Sequence, residues 1–244
     1  MTADKRPVVA PEGDTRKIVN EPQHAIGIPA STGQTQVQRA YAALEERIVT
    51  LQLEPGQLVS ENMLASLVGL GRTPVRDAIK ELSREGLMVI LPKRGIMISE
   101  IDVLRQLELL EIRREVERYV AGAAARRATP GERARFLVLA DRMDETGAAD
   151  DGEGFLKLDK AFNERILEAA RNRYATSMMR LVQGLSRRFF FAHYQSTTSV
   201  RETARLHAGV ARAIGNQQEK EARESLDRLV DNVETFTRAT LDCV

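Results

Sequence analysis

The chain has 244 residues, 43% of them hydrophobic and 29% charged, with no tryptophan and a formal net charge of +1. That length suits a small domain joined to a medium one in a mainly helical, soluble class, and near-neutrality excludes nucleic-acid binding through bulk charge, so any basic surface must be local. No run of about 18 apolar residues occurs, and Met1-Thr2-Ala3-Asp4-Lys5-Arg6 leads into proline and charge, which argues against a membrane span or signal peptide and predicts a cytoplasmic protein.

Residues 1–35 carry four prolines and balanced charges without apolar periodicity, so they read as a flexible arm that includes His24. From Gln36 onward, Val37, Tyr41, Leu44, Ile48 and Leu51 recur at steps of four and three, the pattern of a helix with one buried stripe, which Glu54-Pro55-Gly56 stops. Ser60 is a candidate N-cap for a short second helix with Glu61 in its first turn and Met63, Leu64 and Leu67 as its apolar positions. Gly69-Leu70-Gly71 breaks it. A third helix is expected with Thr73 as cap, Pro74 at the first helical position, and Val75, Ala78, Ile79 and Leu82 facing a core. Glu85-Gly86 ends that helix. Two short β-prone runs, Leu87–Leu91 and Gly95–Ile98, flank Pro92-Lys93-Arg94 and read as a hairpin.

Beyond Glu100 the strand signal disappears. Helical periodicity predicts six segments, at roughly 103–127, 131–145, 154–170, 173–192, 199–215 and 218–240. The expected fold class is therefore mainly α: a winged helix-turn-helix of three helices and a β-hairpin over 36–102, then an all-α bundle over 103–244.

On the third helix Arg72, Arg76 and Lys80 lie four apart, on a face separate from the apolar stripe. Cations so placed can reach major-groove base edges and phosphates, and Lys93 and Arg94 at the hairpin tip would meet the neighbouring backbone or minor groove. Asp77, Glu81 and Glu85 share the helix, so the stripe alone could be an ordinary solvated face. Its setting decides otherwise: a capped short helix, a glycine-broken turn, a proline-started basic helix and a basic-tipped hairpin follow one another.

The stretch Leu58–Ala65, then Gly71-Arg72-Thr73-Pro74-Val75-Arg76-Asp77-Ala78, Leu82, Glu85-Gly86-Leu87 and Arg94-Gly95 resembles the GntR-family winged helix over about 65 residues. The resemblance implies a transcription regulator in which Arg72, Thr73 and Arg76 touch DNA and Gly95 allows close backbone approach. It further implies a homodimer on a palindromic operator of double-stranded DNA and, by family habit, repression. Gly71 and Asn62 depart from the common pattern, which often has serine or threonine at the first position and a basic residue at the second.

In the bundle, three polar residues fall inside apolar stripes: Arg113 among Leu109, Val116 and Val120, Asp159 among Phe155, Phe162 and Ile166, and His207 among Val200, Val210 and Ile214. Buried charges must pair or line a polar cavity. An internal Arg113–Asp159 bridge with a core histidine is one reading; an effector pocket is the other.

Residues 104–240 resemble the helical ligand-binding FCD domain of the FadR-type branch, on the strength of Glu111-Ile112-Arg113-Arg114-Glu115-Val116-Glu117. Metal-binding members hold a divalent ion with an aspartate, a histidine four residues on and two later histidines. Asp159 and His207 match two positions, while Asn163 and Leu229 stand at the others. Two such ligands are too few to hold a transition ion firmly. The expected ligand is a small organic acid met by Arg113, Asp159, Asn163 and His207, without a required cofactor. The single cysteine, Cys243, allows neither a disulfide framework nor a cysteine zinc site.

The aromatic run Phe189-Phe190-Phe191-Ala192-His193-Tyr194 after Arg187-Arg188 reads as core, or as a contact between the bundle and the winged helix or a second subunit. A helical metalloenzyme with an accessory winged helix is the rival from another class. Against it, the chain lacks Glu-x-x-His pairs, His-Glu-x-x-His, a phosphate loop and Gly-x-Ser-x-Gly. A DNA-binding protein without a small effector is the third reading.

Overall fold

A computed structural model of the chain describes residues 33–197 and 200–243. The expected arm, His24 included, lies outside the described residues except for 33–35, and residues from Thr35 onward form one compact unit.

Helix α1 spans Gln36–Val49 and starts in a capping box, where the Thr35 hydroxyl accepts from the Gln38 amide and the Gln38 side chain accepts from the Thr35 amide. It ends before Leu51, earlier than the stripe suggests, because Leu51 turns left-handed (φ 56°) and swings Leu53 into the core. Strand β1 is Leu58–Val59, and α2, Glu61–Val68, follows with Ser60 accepting from the Met63 amide as the expected cap. Gly69 closes α2 at φ 66°, a left-handed conformation that glycine adopts freely.

Helix α3 spans Arg72–Arg84 with Gly71 at the N-cap. This corrects the expected start: Thr73 does not cap the helix, and Pro74 lies in its third position rather than its first. Proline is tolerated there because no amide in the first turn has an intrahelical acceptor. Val75, Ala78, Ile79 and Leu82 are all buried, as the stripe predicts.

Strands β2, Met88–Leu91, and β3, Gly95–Ile98, form the expected hairpin in antiparallel register, Met88 opposite Ile98 and Leu91 opposite Gly95. The sheet has a third member, since β1 pairs with β3 through Leu58 opposite Met97 and Val59 opposite Ile96, in the order β1-β3-β2. Two residues are too short to show an alternation in sequence. The core under this sheet joins Leu44, Ile48, Leu64, Ile79, Leu82 and Leu87.

The bundle follows: α4 Val103–Arg127, α5 Pro130–Ala148, α6 Gly152–Ala170, α7 Arg173–Thr197, α8 Val200–Gly215 and α9 Glu219–Ala239, with a short 3-10 turn at Thr240–Cys243. Its starts are capped by Asp102, Thr129 and Asp151 on α4, α5 and α6. A buried run of small residues, Ala121–Ala125, lets α4 lie close to its neighbours, and Phe136 meets Phe162 edge-on at 6.4 Å. The long α7 reaches both cores: Leu185 packs against the winged helix while Met179 sits in the bundle core.

Candidate DNA interface and ligand pocket

Burial of one face of α3 turns Arg72, Thr73, Arg76 and Lys80 outward, all exposed. Arg76 is held ready by α2: its Nε and Nη2 donate to the Glu61 carboxylate at 3.0 and 2.8 Å, with 56% of its side chain still open to water. That hydrogen bond lowers the Glu61 carboxyl below its ordinary value. Lys80 donates to Asp77 at 3.0 Å. Glu61 on α2 and Asp77 on α3 thus hold the two cations in exposed ion pairs, which are weak in water.

At the wing, Lys93 and Arg94 are exposed, Lys93 adopts φ 62°, and the Arg94 amide donates to the Leu91 carbonyl at 3.0 Å. Gly95 is half-buried at φ 110°, and a Cβ there would lie 3.0 Å from the Val59 carbonyl oxygen. The close approach that requires glycine is made here by β1 of the same chain. Asn62 is exposed on α2.

Within the bundle, Arg113, Asp159, Asn163 and His207 line one cavity, so α4, α6 and α8 bring the four residues together. The internal Arg113–Asp159 bridge does not form. Arg113 instead donates through Nε and Nη2 to Glu117, at 2.8 and 3.3 Å, one turn along α4. His207 Nε2 meets Asp159 Oδ1 at 3.1 Å, and Asn163 Nδ2 donates to the same oxygen at 3.0 Å. Burial pushes the Asp159 carboxyl upward, but the His207 hydrogen bond and the charges of Arg187 and Arg113 outweigh it and hold the group below its usual range.

This donor set does not fit a metal. Of the residues that line the cavity only Asp159 and His207 carry strong ligating groups, and His207 turns Nε2 toward Asp159 at 3.1 Å while Nδ1 lies 2.8 Å from the Thr203 carbonyl oxygen, so two ligands stand where a firmly held ion needs at least three. Leu229 is packed in the bundle core. Among the described residues no group of three or more His, Cys, Asp or Glu is arranged to hold an ion.

Sequence reasoning missed several polar residues of the cavity, namely Gln106, Gln183, Ser186, Arg187 and Thr203. The Arg187-Arg188 doublet on an otherwise apolar stretch of α7 is the signal that could have found one of them. Phe155, Phe189, Phe190 and Phe236 form an aromatic wall, with Phe189 and Phe190 each within 6 Å of the Phe236 ring. The open space is about 40 Å³, room for about three waters, so a larger molecule must push the lining apart.

The basic doublet itself turns toward the winged helix. Arg187 Nη1 donates to Glu45 Oε1 of α1 at 2.9 Å, and Lys160 of α6 donates to Oε2 of the same carboxylate. Arg188 donates to the Ser99 and Glu100 carbonyls at 2.8 and 3.1 Å, and its burial lowers the guanidinium to about 10. Gly184, one turn before Arg188, lies against Leu87 so closely that a Cβ would fall 2.8 Å from its methyl. The aromatic run thus packs within the bundle, and the arginines before it make the contact between the bundle and the winged helix.

Residues 36–98 match the model of the bacterial regulatory proteins of the gntR family, and residues 108–232 match that of the FCD domain. An HTH-type transcriptional regulator in an unstable DNA locus of Streptomyces ambofaciens is 34% identical over 140 residues, 56% of this chain; the chain spans only 57% of that relative's length. The Nta operon transcriptional regulator of Aminobacter aminovorans is 27% identical over 173 residues, 71% of this chain and 80% of its own. Among solved structures, E. coli McbR/YncC shares the fold with a TM-score of 0.72 at 17% identity, over 85% of this chain and 99% of the other. No helix among the described residues is long and apolar enough to cross a membrane.

Proposed function

The chain belongs to the GntR family of bacterial regulatory proteins with an FCD domain, and from that premise we propose that it binds a palindromic operator as a homodimer under the control of a small organic acid held in the bundle. It is a DNA-binding transcription regulator and not an enzyme. The observation that carries the DNA-binding half is the face of α3, where Arg72, Thr73, Arg76 and Lys80 stand exposed over a buried apolar stripe and beside a basic wing.

In this reading residues 36–102 bind DNA and residues 103–244 bind effector and partner subunit. Arg72, Thr73 and Arg76 read base edges, Lys80, Lys93 and Arg94 neutralise phosphates, and Gly95 keeps the wing turn close to β1. Two-fold pairing supplies the length of sequence that a single recognition helix cannot read. The protein acts in the cytoplasm as a repressor that its effector releases. Asp159 and His207 serve as hydrogen-bonding groups for that effector, with Arg113 and Asn163 beside them, and not as metal ligands.

Operators selected from random duplexes by the purified protein give the test. Arg76→Ala should lose the selected site at concentrations where the wild type shifts it fully, with an unchanged circular dichroism spectrum. Unaltered binding by that variant would refute α3 as the reading helix.

A second reading has no small effector, and one observation favours it: Arg113 is already paired with Glu117, and Asp159 with His207, at a cavity of about 40 Å³. Thermal shift against a panel of carboxylates separates the two. A rise in melting temperature that Arg113→Gln abolishes supports the sensor.

A further inference from the structure

Arg187 stands between the cavity and the winged helix. It lines the cavity while its Nη1 holds Glu45 of α1 at 2.9 Å. The residue is only 9% exposed, and its Nε–H is buried without an acceptor. Arg188 and Arg223 also bury an Nε–H without an acceptor, but of the three only Arg187 lines the cavity, and an unpaired buried donor is costly, so a group that supplies an acceptor there would be bound. Arg113, by contrast, already spends its Nε on Glu117.

Resting on the pocket reading above, we propose that Arg187 takes the carboxylate of an acid with an apolar or aromatic body, and that this draws the guanidinium off Glu45 and loosens the winged helix from α7. Three observations carry the proposal. Lys160 also holds Glu45, so the carboxylate remains paired when Arg187 turns away, and the exchange leaves no orphaned charge. Phe155, Phe189, Phe190 and Phe236 form one wall of the cavity, and its other charged groups are already paired, Arg113 with Glu117 and Asp159 with His207, which favours an apolar body over a second charge. Glu45 lies one turn along α1 from Tyr41, whose hydroxyl donates to Glu85 at the end of α3 at 2.7 Å. A change at Arg187 therefore reaches the recognition helix through two side chains.

Calorimetry on the full chain at pH 7 with phenylacetate and hexanoate, each beside its carboxamide, tests the assignment. Each acid should bind at least about tenfold more tightly than its amide, the worth of a charge-assisted hydrogen bond. Arg187→Lys, which keeps the charge at Glu45 but lacks the Nε–H, should lose about tenfold in acid binding, as should the charge-neutral double variant Glu45→Gln with Arg187→Gln. Hydrogen exchange of α1 should rise when phenylacetate saturates the wild type and stay unchanged in Arg187→Lys.

Wild-type acid affinity in both variants would overturn the assignment to Arg187 and leave the pocket reading standing. Unchanged exchange in α1 at saturation would overturn the coupling. Failure of both acids to bind the wild type would remove the pocket reading and this inference with it.

Discussion

Replacing Glu45 by alanine should uncouple the winged helix from the bundle. Glu45 is 5% exposed and holds Arg187, itself 9% exposed, at 2.9 Å. Removing the carboxylate leaves that guanidinium buried without its counter-charge, a loss of about 3–5 kcal/mol. Lys160, with 31% of its side chain exposed, turns to water at little cost, so the lower end, about 3 kcal/mol, is expected. For a chain of this size each kcal/mol moves the melting temperature by about 2–4 °C, which gives a fall of about 6–12 °C.

Scanning calorimetry should also show a broader transition in the variant than in the wild type, as the winged helix, with its smaller core, melts ahead of the bundle. Burial alone would raise the Glu45 carboxyl; the charges of Arg187 and Lys160 outweigh it and hold the group below its ordinary value. The stabilisation is therefore present above the ordinary carboxylate pKa and disappears as pH falls through the depressed one, so wild type and variant should converge in acid. A variant that melts within about 1 °C of wild type at pH 7 would refute this account of the junction.

Arg113→Gln should lower stability by about 3 kcal/mol in urea titration because Glu117 is left buried without its cation, and adding Glu117→Gln should restore most of that; a single variant costing under about 1 kcal/mol would contradict the pairing. At the wing, Lys93→Ala with Arg94→Ala should weaken binding to all duplexes alike and flatten the salt dependence by about two ions, as measured by fluorescence anisotropy; a loss confined to the operator would place these residues on bases instead. Burial raises Glu85 to about 7, against the hydrogen bond from Tyr41. Its charge is thus tolerated less well in the folded state, and the penalty grows as pH rises from the ordinary carboxylate range through about 7. Glu85→Gln should therefore raise the melting temperature at pH 8 and leave it nearly unchanged at pH 5; an equal effect at both would show that ionisation is not involved.

Much of the fold is legible in local pattern. Apolar residues at steps of three and four mark most of the described helices, because an amphipathic helix needs only its own sequence to define which face is buried; the second half of α4, buried all round at Ala121–Ala125, is the exception. The Ser60 cap and the Gly86 break lie where their side-chain chemistry predicts. Thr73 misled because a cap is chosen by backbone direction as well as by residue type, and the chain enters α3 through Gly71. Strand β1 escaped because two residues carry no period, and its place depends on the edge that β3 offers.

At the site, residue types and faces were readable but partners were not. Arg113 and Glu117 are one turn apart, so their pair could be inferred from helical spacing. Asp159 finds His207 on another helix, and Arg187 finds Glu45 across 142 positions of chain. Residue order along the chain is enough to show that α3 presents cations over an apolar face and that polar groups are buried in the bundle. Which charge neutralises which follows from packing, because a buried ion chooses its partner by distance in space, and that distance is set by how the helices pack rather than by order along the chain.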